Sequence, residues 1–178
     1  MKEKTFFAGF GGQGIISLGQ IWVYCGMKEG KEVSFFPFYG AEKRGGIARA
    51  SCIISDQNIA SPIISSADSV VVMNADSLAL CEGILRPGGL MLINSSLVKG
   101  GTSRADVRVS EIDATRLAES LGNSRVANMV MLGALAVLTG ALSLADVEGI
   151  LETFFPKNKH SLIPLNLAAI REGMKAAR

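Results

Sequence analysis

A chain of 178 residues, 48% of them apolar and only 19% charged, is long enough for one domain with a sizeable core, and its composition excludes a disordered segment. A net charge of +2 without a long basic run excludes a nucleic-acid binder. So few charges cannot cover a monomer's surface well, so part of it is expected to be buried against another subunit; a homodimer is one outcome for the chain alone.

The chain opens on Lys2 and Lys4 with Glu3 between them, and the apolar run that follows soon meets glycines, a pattern unlike a signal peptide. That run is Phe6-Phe7-Ala8-Gly9-Phe10-Gly11-Gly12-Gln13-Gly14-Ile15-Ile16, which predicts strand, tight turn and helix. Gly9, Gly11 and Gly14 have the G-x-G-x-x-G spacing of a phosphate-binding βαβ turn. Glycines there permit a sharp turn and close approach of a ligand or partner backbone, and the next helix offers its free N–H groups to an anion. The competing reading is helix–strand packing alone. Gly12 and a Gln13 expected to point out of the turn exceed what packing needs.

The first helix is predicted over residues 14–27 and the second strand over 33–36. A nicotinamide-binding fold wants an acid at the far end of that strand, about 20 residues past the turn, for the ribose hydroxyls. Ser34 and Phe36 stand there, and Glu32 lies at the wrong end, so a dinucleotide site is disfavoured. In its place comes Pro37-Phe38-Tyr39-Gly40-Ala41-Glu42-Lys43-Arg44-Gly45-Gly46, aromatics followed by the tightest charge cluster in the chain. If strands one and two are neighbours, this segment emerges beside the glycine turn. Its charges read equally as a solvated loop, whereas the aromatics point to an interface.

Strand three, 48–55, runs straight out of Gly45-Gly46, which predicts a locally antiparallel element near residues 45–60. A buried strand is expected over 67–73 and a helix from Asn74 to about Leu85, stopped by Arg86-Pro87-Gly88-Gly89. Strands at 90–94 and 107–109 flank a polar stretch, 95–104, expected to move most, and a helix follows over 112–121. Residues 126–145 carry no charge, yet Asn128, Gly133, Gly140 and Ser143 argue for a buried helix broken at Gly140 rather than membrane insertion. Ser143-x-x-Asp146 predicts the cap of a helix over 144–154, and a last helix covers 162–175. The fold class is therefore α/β, a Rossmann-like open and mostly parallel sheet with helices on both faces.

Catalytic groups are scarce. Cys25, Cys52 and Cys81 are isolated within apolar patterns, which predicts buried thiols in a reducing, cytoplasmic compartment and neither a zinc site nor an iron–sulfur cluster. His160, the one histidine, reads as a solvated side chain in the loop 156–160. No catalytic or metal residue is assigned.

The two notable stretches, with their spacing, Ser61-Pro62 and Asn128-Met129-Val130-Met131-Leu132-Gly133-Ala134, closely resemble the gamma subunit or domain of the 2-oxoacid:ferredoxin oxidoreductases. Ala41 stands where that family often has Pro. The resemblance covers the whole chain, 1–178, as a single gamma-type domain. It implies a non-catalytic subunit in an enzyme that decarboxylates a 2-oxoacid, such as pyruvate, 2-oxoglutarate or 2-ketoisovalerate, to an acyl-CoA. Thiamine diphosphate with magnesium and the iron–sulfur clusters would then sit in alpha, beta and delta partners, which pass electrons to ferredoxin. The site implied for coenzyme A or a partner comprises Gly9, Gly11, Gly12, Gln13, Gly14, Tyr39, Glu42, Lys43, Arg44, Gly45 and Gly46. A subunit of the related indolepyruvate enzyme, a purely structural assembly subunit and an NAD-binding dehydrogenase domain stay open beside it.

Overall fold

In the computed structural model, which describes residues 1–39 and 46–177, the opening apolar run forms β1 (Lys2–Phe10). It is followed by α1 (Ile15–Lys28), β2 (Glu32–Tyr39), β3 (Ile47–Ser55), β4 (Ala67–Val72), α2 (Leu78–Ile84), β5 (Leu85–Asn94) and β6 (Arg108–Ile112). Four helices complete the chain: α3 (Ala114–Ser120), α4 (Ala127–Thr139), α5 (Val147–Phe154) and α6 (Ile163–Ala176). The strands form one sheet in the order β2-β3-β1-β4-β5-β6. β1, β4, β5 and β6 pair in parallel, while β3 runs antiparallel to both β2 and β1.

This is the expected α/β sheet with its antiparallel element in the expected place. One premise needs correcting: β1 and β2 are not neighbours, because β3 folds back between them. The ends of β1 and β2 still share an edge, since Gly9 pairs with Ala48 and Ala48 with Tyr39.

The two faces of the sheet are covered unequally. Phe7, Val71, Leu90 and Leu92 turn toward a large core shared with α1, α4, α5 and α6. α1 lies close on β2 and β3, where a Cβ on Gly19 would stand 3.0 Å from Ala50 and Phe35. α4 and α6 cross with backbones touching at Gly133 and Gly173, where a side chain would meet the Ile170 and Val130 carbonyls. That crossing explains the uncharged stretch. α4 is buried on nearly all sides within the protein, and among the described residues no helix is long and apolar enough to cross a membrane. The other face has a smaller core under α2, built from Phe6, Ala8, Ile53, Val70, Val72, Met91 and Ile93.

Four local expectations fail for identifiable reasons. Arg86-Pro87-Gly88-Gly89 does not separate helix from strand; it belongs to β5. Leu85 pairs with Ala67 and Leu90 with Ser69, so the tetrapeptide bulges out of the ladder, held by Arg86 Nε donating to Asp68 Oδ1 at 2.6 Å. Ser143 does not cap α5, which starts at Val147. Its hydroxyl instead donates to Glu29 Oε1 at 2.8 Å, tying the end of α1 to this loop. His160 is half-buried, its Nε2 3.0 Å from the Phe155 carbonyl oxygen. The 95–104 stretch is tied down by Arg104, whose Nη1 donates to the carbonyls of Glu82 at 2.7 Å and Leu85 at 2.6 Å, and by buried Val98.

Candidate functional site

The glycine turn lies at the carboxyl edge of the sheet. Gly9 has no room for a side chain: a Cβ would stand 2.6 Å from Gln13 Oε1 and 2.8 Å from Met73 Cβ. Gly14 caps α1 at φ 75°, and a side chain there would collide with Asn128. Gly12, at φ 95°, faces open space.

Gln13 corrects its expected role. Its side chain folds into the turn, with Oε1 accepting from Phe10 N at 2.7 Å and Nε2 donating to the Met73 carbonyl at 3.1 Å. The amide thus closes the turn and staples it to the end of β4. Asn128 completes the closure from α4, donating through Nδ2 to the Gly14 carbonyl at 3.3 Å and accepting from Met129 N at 2.9 Å. The only hint of that role in the sequence was an amide inside an otherwise apolar run.

On one side the turn meets the start of β3, where Gly11 N donates to the Gly46 carbonyl at 3.2 Å. Gly9, Gly11, Gly12, Gln13, Gly14 and Gly46 are therefore brought together, and Tyr39 ends β2 at the same edge. Glu42, Lys43, Arg44 and Gly45 lie outside the described residues.

On the other side a crevice of about 220 Å³ opens among Gly12, Gln13, Met73, Asn94, Thr115 and Arg125. It sits at the carboxyl ends of β1, β4 and β5, beside the point where the chain's crossovers change direction, the usual place for ligands in an open α/β sheet. Asn94 is fully buried. Its Nδ2 donates to Thr115 Oγ1 at 3.0 Å, but its Oδ1 has no partner among the described residues. Asn74, just past β4, is similar: its Oδ1 accepts from Ser77 Oγ while its buried Nδ2 has no partner among the described residues. Buried polar atoms without partners are uncommon and costly, so they mark places where another molecule can complete the bonding. Arg125 lies exposed on the crevice wall and forms no ion pair with the described residues. Sequence reasoning missed all three; an Asn at a strand end carries no periodic signal.

The three cysteines are buried free thiols. Burial pushes the Cys25 and Cys81 thiols up to about 12 and that of Cys52 well above its usual value. Among the described residues no three His, Cys, Asp or Glu side chains converge as a metal site.

The pyruvate ferredoxin/flavodoxin oxidoreductase family matches residues 4–176. The chain belongs to that family. It is 35% identical over 179 residues to ketoisovalerate oxidoreductase subunit VorA of Methanothermobacter thermautotrophicus, an alignment covering 99% of this chain and 37% of that protein. The chain thus spans little more than a third of that relative. It is 33% identical over 167 residues to 2-oxoglutarate synthase subunit KorC of Methanothermobacter marburgensis, covering 88% of each. Among solved structures it resembles the keto/oxoacid ferredoxin oxidoreductase gamma subunit of Geobacter sulfurreducens, with a TM-score of 0.84, 28% identity and 98% of both chains covered.

Within this oxidoreductase family the second strand is informative. Exposed Glu32 begins β2 and pairs with Ser55 at the amino end of that strand, away from the crevice.

Proposed function

We propose that this chain, as a single gamma-type domain over residues 1–178, is the gamma subunit of a 2-oxoacid:ferredoxin oxidoreductase and supplies part of its coenzyme A site. The observation that carries the coenzyme A reading is the crevice, with buried, unpartnered Asn94 Oδ1 in its wall and Arg125 at its rim. A buried acceptor suits an amide or amino donor of the nucleotide or pantetheine. The exposed Arg125 guanidinium suits a phosphate. The open N-terminus of α1, with no side-chain cap, adds partial positive charge at the same edge. Lys43 and Arg44 are proposed to join this anion-facing edge. Coenzyme A, when bound, supplies the thiol that takes up the acyl group; this chain's residues bind and orient it.

Thiamine diphosphate with magnesium and the iron–sulfur clusters are assigned to alpha, beta and delta partners, which also hand electrons to ferredoxin. Here the three thiols support the assignment, since they are buried and isolated from one another in the sequence. The same three free thiols support action in the cytoplasm. A second reading, a purely structural assembly subunit, draws on Gln13, whose inward amide leaves the glycine turn with fewer groups for a ligand.

Assay of the purified chain, alone and assembled with its companion subunits, tests the proposal. The chain alone should turn over no 2-oxoacid and no nicotinamide substrate, and the assembled complex should reduce ferredoxin in a coenzyme A-dependent reaction. Turnover by the isolated chain overturns it.

A further inference from the structure

Among the described residues, nothing covers the face of the sheet opposite α1 at the β2–β3 end. Alternation along the strands explains how. Val33, Phe35, Ala50, Cys52 and Ile54 point toward α1, so Phe36, Phe38 and Arg49 point the other way. α2 covers β4 and β5 on that side, and the smaller core ends at Phe6 and Ile53. Beyond it Phe36 and Phe38 are half exposed, at 48% and 50%, and Ile63, in the loop before β4, stands above them at 72%. Together with Phe6, Ile64 and Arg49 they line a shallow groove of about 170 Å³.

Arg49 gives this patch its character. Its guanidinium stacks on the Phe38 ring at 4.3 Å from the centroid, directly across the β2–β3 ladder. Among the described residues its buried Nε has no hydrogen-bond partner, and no acidic residue lines the groove. A desolvated donor on a cation beside aromatic rings is incomplete in the same way as half of a protein interface, where aromatic residues and Arg are the usual anchors. Pro37 lies in β2 between the two phenylalanines and lacks an N–H, which blunts the strand edge against pairing with another strand. The face, not the edge, is the contact surface.

We infer that this Phe36–Phe38–Arg49–Ile63 face docks a non-identical subunit of the complex, one that presents an apolar surface with a carboxylate at its centre to receive Arg49. Charge decides against a second copy of this chain. Among the described residues, two such faces related by a two-fold axis would bring cation to cation with no carboxylate between them, whereas an acidic partner would pair with the Arg49 guanidinium. The inference rests on reading the chain as a subunit of a hetero-oligomer and adds which face it uses.

The test is co-expression with the companion subunits and measurement of their affinity for the chain. Arg49→Glu should weaken association by about 30-fold or more, because the carboxylate would then face a like charge. Arg49→Lys should keep most of the affinity. The half-exposed double variant Phe36→Ser/Phe38→Ser should also dissociate the chain, and it carries the test if Arg49→Glu fails to fold. Val109→Ser, at an exposed apolar position on the opposite edge strand β6, should have no effect. Wild-type affinity in Arg49→Glu or in the double variant overturns the docking face while leaving the subunit reading intact. A dimer of the isolated chain that Phe38→Ser dissolves overturns it too, since a second copy would then occupy the face. A wild-type chain that binds no companion overturns both.

Discussion

Two regions meet at the carboxyl edge of the sheet and differ in how their polar groups are used. The glycine turn, the most conspicuous stretch of the sequence, is closed on itself: Gln13 and Asn128 bond its backbone, and Gly9 and Gly14 are needed for lack of space. The crevice beside it is quiet in sequence, yet it holds Asn94 Oδ1 and the Arg125 guanidinium, neither of them paired among the described residues. Glycines advertise a tight turn whether or not anything binds there. A ligand is better predicted by bonding left incomplete than by bonding already made.

Substitutions that separate stability from ligand affinity can break this contrast. The largest effect should come from Gly14→Val, which puts a β-branched side chain at φ 75° and against Asn128. A loss of about 3 kcal/mol or more, read from chemical denaturation, is expected, and a loss within experimental error would mean that the turn is not closed. Gln13→Leu should follow, since it removes the partners of the Phe10 N–H and the Met73 carbonyl at a cost of roughly 1–3 kcal/mol. Asn94→Ala should do the reverse. Only the Thr115 bond is lost, about 1 kcal/mol, while the KM for coenzyme A in the assembled complex rises several-fold. Equal effects of Gln13→Leu and Asn94→Ala on stability and KM would erase the distinction.

The smallest effect lies at the opposite edge of the sheet. Burial raises the Glu3 carboxyl above its usual value of 4.5, although Ser69 Oγ donates to it at 2.6 Å. With a folded-state value above the unfolded one, the stability that Glu3 contributes is fully present below 4.5 and is lost as pH rises through the raised value. Glu3→Gln should therefore gain in melting temperature relative to the parent between pH 4 and pH 7, with coenzyme A kinetics unchanged.

The sequence made the fold readable where periodicity is strong. Alternation in β3, the apolar runs of β4 and β5, and Gly140 ending α4 all follow from local rules. What it hid were choices made by distant partners. Ser143 looked like a cap because its own segment favours one, yet Glu29, 114 residues away, takes the hydroxyl. Arg86-Pro87-Gly88-Gly89 looked like a turn because a bulge uses the same residues. At the site the glycines were legible, but Gln13 was assigned the wrong direction, because whether a turn amide faces in or out depends on where β4 ends. Asn94 and Arg125 gave no signal at all, since each matters only through the crevice that three strands and two helices enclose.

The central claim is that this chain binds coenzyme A for chemistry housed in its partners, and Arg125→Ala in the assembled enzyme tests it most directly. Loss of a charge-assisted contact worth about 1.5–3 kcal/mol should raise the KM for coenzyme A by roughly 10- to 100-fold. The KM for the 2-oxoacid and the amount of assembled complex should not change. An unaltered KM for coenzyme A in a fully assembled Arg125→Ala enzyme would contradict the account.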